Sequence, residues 1–338
     1  MAGTYYGPVE VRTKASEQSP AALRAIANQE VIITYDDTFV RQQHARIARL
    51  GKEGALGADG KELHYPSLIT LAGSYVEISG LHLIGVRDRL PMNLYSESGI
   101  SIAGGGGTGC RMLDNEIENN GHCGVKEMGH GSRGFLIEGN YIHDLGQTAH
   151  DHAIYLPADD VTVRRNILLN AAGWGVHACT EPKRLTISHN LVGGNAEDAV
   201  ILGGSDCRVF NNVFYRDRRG GVFLFRRGYR NNTVINNVIL EPVAFRFDAA
   251  GSDAPADQPQ GNVLDYNCIV SALSTASSTA LRLNPLGVHN IQGEPGFVDA
   301  AGLDFHLQPG SPCIDAGDPK LVEHYYGRAP DIGLYETR

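Results

Sequence analysis

His150, Asp151, His152 and Tyr155 fall within six residues in the stretch "TAHDHAIYLPADD", Thr148–Asp160. Imidazoles and phenols move protons near neutral pH when their surroundings tune them, and a carboxylate beside an imidazole fixes its orientation. The same residues allow a metal reading. Two histidines separated by one residue share a face of an extended segment, which suits a zinc-type ion. A polar turn is the third reading, because aspartates favour turns for their local hydrogen bonding. The elements around the stretch decide among these.

Those elements repeat. An asparagine followed by apolar residues recurs at Asn115, Asn140, Asn166, Asn190, Asn212, Asn237 and Asn267, with gaps of 25, 26, 24, 22, 25 and 30 residues. An alternating segment precedes each Asn ("FLIEG", "VTVRR", "LTISH"), and after the next loop comes another ("GVKE", "AIYL", "GVHA", "AVIL", "GVFL"). Three short strands per repeat, with no helical spacing between them, predict an all-β, single-domain, right-handed parallel β-helix with three strands per coil. Stacked coils share one core, with strands about 4.8 Å apart along the axis. The recurring Asn is expected at a turn, in a left-handed backbone, bonding to the Asn of the next coil. The domain reading is one β-helix over 1–338: N-terminal coils over 1–70, regular coils over 71–285 and a capping segment over 286–338.

Alternation sorts the strand after each loop into inward and outward residues. Val125, Ile154, Val176, Val200, Val222, Phe245 and Leu281 point inward, and two residues later only Glu127 breaks an apolar series. The outward residues between them are Lys126, Tyr155, His177, Ile201, Phe223, Arg246 and Arg282. Lys, Tyr and His on three successive coils span about 10 Å, the reach needed around one glycosidic bond. The loops add His122, His143, Asp144, His150, Asp151, Trp174 and Asp198, then Arg216, Arg218, Arg219, Arg226 and Arg227. The loops 86–100 and 249–262 are long enough to wall a groove.

Several segments resemble a known group: "GTYYGPVEV…VIIT", "NGHCGV", "DHAIYL", "GWGVH", "NNVFYRDRRGGV" and the ending "GFVDAAGLDFHLQPGSPCIDAGDP…PDIGLYE". Together they are similar to secreted bacterial right-handed β-helix proteins of the pectate-lyase-like superfamily. The resemblance spans almost the whole chain. It implies the fold and leaves the reaction open, since that superfamily holds lyases, hydrolases, esterases, epimerases and phage tailspikes. Such proteins usually carry a strand or capping helix ahead of "GTY", so this chain reads as trimmed there. The coil "GWGVHACTEPKRLTISHN" is laid out like the catalytic coil of β-helix alginate epimerases, but their Tyr, Asp and His positions are Trp174, His177 and Cys179 here. That departure counts against epimerase chemistry. "GHG" (Gly129–Gly131) and Asp159-Asp160 echo polygalacturonase motifs in the wrong order and are set aside.

The expectation is a polysaccharide lyase acting on an anionic, uronic-acid-containing glycan by β-elimination. The alternatives are a hydrolase or C5-epimerase in the same groove, or a glycan-binding β-helix without catalysis. The catalytic set is Lys126, His152, Tyr155 and His177, with His177 or Lys126 as base and Tyr155 as acid. Substrate binding falls to His150, Asp151, Trp174, Arg216, Arg219, Arg226 and Arg246, since arginines pair bidentately with carboxylates. No cofactor is fixed by the sequence; a calcium ion held by carboxylate and amide oxygens is the candidate, ranked above zinc. The net charge of −9 argues against a nucleic-acid partner. No apolar run approaches the roughly 18 residues of a membrane helix. Six scattered cysteines lack metal-type spacing and read as buried thiols. The chain is expected to act as a monomer, secreted or periplasmic, although "MAGTYYGPVEVRT" has no signal-peptide character.

Overall fold

The computed structural model describes residues 2–13, 15–50, 66–87, 98–103, 107–127, 131–225, 229–248, 260–274 and 284–338. The inward residues read from the alternation set the architecture. Val125, Ile154, Val176, Val200, Val222 and Phe245 are all fully buried, and they belong to one continuous core running along the stack. Burying such side chains stabilises by about 1.5–3 kcal/mol each, and β-branched residues fit the pleated wall well.

Through the regular coils strands cycle through three parallel sheets, each pairing with the third one before and after it, as a right-handed β-helix requires. One coil shows the path. Val125–Glu127 lies in the first sheet, Leu136–Glu138 in the second and Tyr141–Leu145 in the third, before Ile154–Tyr155 returns to the first. We call the first the groove sheet and the third the ladder sheet. In the groove sheet Lys126 pairs with Tyr155, Tyr155 with His177, His177 with Ile201, Ile201 with Phe223 and Phe223 with Arg246. This is the outward column read from the sequence. Arg282 and Leu281 lie outside the described residues, as do His130, Arg226, Arg227 and most of the two long loops. Ile201 departs from the expected exposure: it is covered, at 2%.

The Asn column forms the predicted ladder. The Asn140 side-chain amide donates to Asn166 Oδ1 (2.9 Å), to the Met112 carbonyl (2.9 Å) and to the Glu138 carbonyl (3.1 Å). The pattern repeats through Asn166, Asn190, Asn212 and Asn237 to Asn267 and Asn290. The backbone differs from the expectation in one respect. The left-handed residue is the one before each ladder Asn: Asp114, Gly139, Arg165, His189, Asn211, Asn236 and Tyr266, with φ from 52° to 70°. The Asn stays in ordinary backbone so that its amide can reach both neighbouring coils.

One element was not evident from the sequence. Asp37–Leu50 is a helix, started by Asp36, whose carboxylate accepts from the Phe39 N–H at 2.7 Å. The C-terminal segment lies along the flank of the stack. Phe305, Cys313 and Ile332 pack on Leu169, Leu191, Val213, Val238 and Cys268 of the ladder sheet. Asn211 donates to the carbonyls of Asp331 and Gly333, which ties that segment to the coils.

Candidate active site

Aligning the coils on their first inward residue builds the site in columns. Three residues before it, His122 stands beside Asp151. Two residues before it, Cys123, His152, Trp174 and Asp198 follow one another. One residue after it stand Lys126, Tyr155 and His177. These columns border an open cavity of about 590 Å³ lined by His122, Lys126, Glu127, His150, His152, Tyr155, Pro157, His177, Cys179 and Thr180.

At its edge Asp151 is buried and organises the loop. Its Oδ2 accepts from the N–H groups of Gln147 (2.8 Å) and Thr148 (2.7 Å) and from the Thr148 hydroxyl (3.0 Å). Its Oδ1 lies 3.4 Å from His122 Nδ1. His122 Nε2 in turn meets Lys126 Nζ at 3.1 Å. With Lys126 as an ammonium, its proton goes to His122 Nε2, and the His122 Nδ1 proton faces Asp151. This Asp–His–Lys chain aims a cation into the cavity.

The aromatic rings form the opposite wall. His152 stacks on His177 with centroids 4.2 Å apart and planes 4° from parallel, and Tyr155 stacks on His177 at 5.1 Å. Trp174 closes edge-on against both imidazoles, at 5.2 and 4.9 Å. Gly173 makes this approach feasible, because a Cβ there would sit 2.4 Å from His152 Nδ1. His152 is only 3% exposed. Burial, reinforced by repulsion from His177, His122, His150 and Lys126, holds its pKa well below the ordinary imidazole value. Its Nδ1 accepts the Trp174 N–H at 3.3 Å, so the ring proton of the neutral form is on Nε2. Cys123 contacts His122 and the His152 N–H, and burial pushes its pKa up to about 12, which keeps it a thiol.

The structure therefore brings together Lys126, His152, Tyr155, His177 and His150, with Asp151 and Trp174 behind them. The arginines behave differently from the expectation. Arg219 pairs with Glu197 at 2.7 Å, and Arg246 pairs with the buried Asp198 at 2.5 Å while lying over the Phe223 ring. Arg216 lies over the Tyr215 ring, on a left-handed turn residue. Among the described residues no arginine lines the cavity. His143 and Asp144 leave the site altogether, since they belong to the ladder sheet. The residues whose part the sequence did not reveal are His122 and Glu127. In the sequence His122 is one more loop histidine; the column alignment that sets it beside Asp151 is the signal that finds it.

The fold agrees with what the chain is similar to. The right-handed beta helix region family model matches residues 69–239, just over half the chain, and the protein belongs to that family. Among solved structures, pectate lyase Pel9A aligns with a TM-score of 0.56 and 13% identity, over 100% of this chain and 86% of its own. The A-module of the Azotobacter vinelandii mannuronan C-5 epimerase AlgE4 aligns at 0.50 and 15%, over 87% and 91%. The Dettilon tailspike protein aligns at 0.50 and 14%, over 81% and 60%. At such identities the likeness is one of fold. No curated protein matches the sequence.

Proposed function

We propose that the protein is a carbohydrate-active enzyme that cleaves a uronic-acid-containing polysaccharide by β-elimination in the groove. The observation that carries this is the convergence of Lys126, Tyr155 and His177 on one open cavity. β-Elimination needs a cation on the uronate carboxylate, a base for the C5 proton and an acid for the departing oxygen. Lys126, aimed by His122 and Asp151, pairs with the carboxylate. His177 takes the C5 proton, and Tyr155 protonates the leaving oxygen. His152, neutral and stacked, holds the His177 ring in place. The carboxylate thus falls to lysine and not to arginine, because Arg219 and Arg246 already face Glu197 and Asp198.

The open trough suits a glycan partner. Among the described residues no helix is long and apolar enough to cross a membrane, and an exported enzyme fits a polymeric substrate. The test is incubation with alginate, pectate and glycosaminoglycans while following the ultraviolet absorbance of the unsaturated uronate product. Absorbance gain with wild type, and its loss in Tyr155→Phe and His177→Ala, is the expected result. Reducing ends released without unsaturation would replace the lyase by a hydrolase. Solvent deuterium incorporated at C5 without cleavage would replace it by an epimerase, and binding without turnover would leave a glycan-binding protein.

A further inference from the structure

On the outer face of the ladder sheet, away from the groove, a second cluster of ligating side chains spans three coils. His82 lies on strand His82–Ile84, Glu116 and Glu118 on the next coil's strand, and His143 on Tyr141–Leu145. The register pairs His82 with Glu116 and Glu118 with His143. Outward residues two apart on a strand share a face, so both glutamates stand between the two imidazoles. His82 Nε2 lies 2.8 Å from Glu118 Oε1 and 3.8 Å from Glu116 Oε2. One ligand atom from each of His82, Glu116 and Glu118 falls within 4.8 Å of the others. A tetrahedral ion with bonds of about 2.0–2.2 Å needs its ligand atoms roughly 3.2–3.6 Å apart, inside the range these side chains already span.

A further histidine supports the cluster from the next coil. His143 stands between two carboxylates: its Nδ1 lies 2.8 Å from Asp144 Oδ2 and its Nε2 3.4 Å from Glu116 Oε1. With a proton on Nε2 the ring donates to Glu116, as an outer-shell partner of a ligating carboxylate does. The sequence Asp144–His143–Glu116 reproduces the outer-shell arrangement that orients a ligating carboxylate. Tyr141 stacks on the His143 ring at 3.9 Å and shields one side of it. The apolar packing of the C-terminal segment involves later coils, from Leu169 onward, and not these side chains.

We propose that His82, Glu116 and Glu118 bind a divalent transition-metal ion of the zinc type, with His143 and Asp144 orienting Glu116. One imidazole and two carboxylates favour such a borderline ion over calcium, which takes six to eight oxygens. The ion bridges neighbouring coils and leaves one position for water, so its first effect is on stability.

Calorimetric titration of the chelator-treated full chain with zinc chloride tests this, with thermal unfolding measured in parallel. Wild type should take up one zinc at this site and unfold at a higher temperature with zinc than without it. His82→Ala and the near-isosteric Glu118→Gln should each weaken binding by at least about ten-fold and abolish the thermal gain, and His143→Ala should weaken it by about ten-fold or more. Circular dichroism without metal shows whether each variant is folded. The proposal is overturned if wild type binds no zinc, if calcium binds as tightly, or if zinc binding survives His82→Ala plus Glu118→Gln and is lost instead in His150→Ala plus His152→Ala. That last outcome would move the ion to the groove.

Discussion

At the scale of single residues, the chemistry depends on which side of a strand each side chain leaves. Lys126, Tyr155 and His177 were legible because a period of two is strict and their inward neighbours are uniformly apolar. His122 was not, because its importance comes from standing beside Asp151 on the next coil, 29 residues further along the chain. His143 reads from sequence as a groove residue only if its segment is a loop; as part of a strand it belongs to another sheet. If Lys126, His177 and Tyr155 act as proposed, His177→Ala lowers kcat by about 100-fold or more, measured at saturating glycan. Lys126→Met loses most of kcat/KM, because the carboxylate contact is made throughout the reaction. His152 has a pH consequence of its own. Its folded pKa is depressed, chiefly by burial. On acidification the unfolded chain therefore takes up a proton that the folded chain refuses, and the stability His152 contributes, present above the ordinary imidazole range, is lost as pH falls through and below it. Urea unfolding should show a shallower acid decline in His152→Phe than in wild type; equal slopes would remove His152 as the cause.

At the scale of elements, the Asn ladder carries the coil-to-coil geometry on which the site depends. Its spacing was visible because one residue type recurs at one turn. The left-handed residue before it was hidden, since Asp, Gly, Arg, His, Asn and Tyr all occupy that position. What selects the conformation there is the turn that the ladder imposes, not the intrinsic preference of the residue. The helix at Asp37–Leu50 was missed for the opposite reason: it belongs to no repeat. Asn190 lies mid-ladder, donating to Val163, Ser188 and Asn212 and accepting from Asn166. Asn190→Ala leaves buried carbonyls and an N–H without partners, each costing about 1–3 kcal/mol. A loss of about 2–4 kcal/mol in chemical denaturation is expected, with a smaller loss for Asn290→Ala at the partly buried end of the ladder.

At the scale of the whole molecule, the most unusual core feature is an acid pair. Asp217 and Glu241 are both buried, on neighbouring coils, below the turn that leads into the groove sheet. Asp217 Oδ1 accepts from the N–H and side-chain amide of Asn195 at 2.8 and 2.7 Å. Counted as two carboxylates, Asp217 Oδ2 and both Glu241 oxygens lack a donor; a proton on Glu241, donated to Asp217, satisfies Asp217 Oδ2 and one of the Glu241 oxygens. Burial first, and for Glu241 the charge of Asp217 next, push both pKa values up. The folded state thus keeps protons that the unfolded chain releases in the ordinary carboxylate range. The pair's stabilising contribution is complete below that range and is lost as pH rises through the elevated folded values. Glu241→Gln should flatten the alkaline decline in melting temperature; a decline as steep as that of wild type would exclude the pair as its source. Composition and alternation give no sign of this pair, because both residues lie in turns between strands, where an acidic residue reads as an ordinary turn residue.

The columns of the groove have a consequence for how such a protein can change. Each coil lends one side chain to each column, so the site is an ordering of interchangeable slabs. Inserting one further coil between those of Tyr155 and His177 would satisfy every ladder bond and every core contact, yet would move these two rings from one strand spacing apart to two, about 10 Å. Folding would tolerate the insertion while the proposed elimination would not. Inserted above or below the three working coils, the same slab would lengthen the trough and leave the chemistry intact. Substrate length and reactivity are therefore separable variables in this architecture, set by how many slabs there are and by the order in which three of them lie.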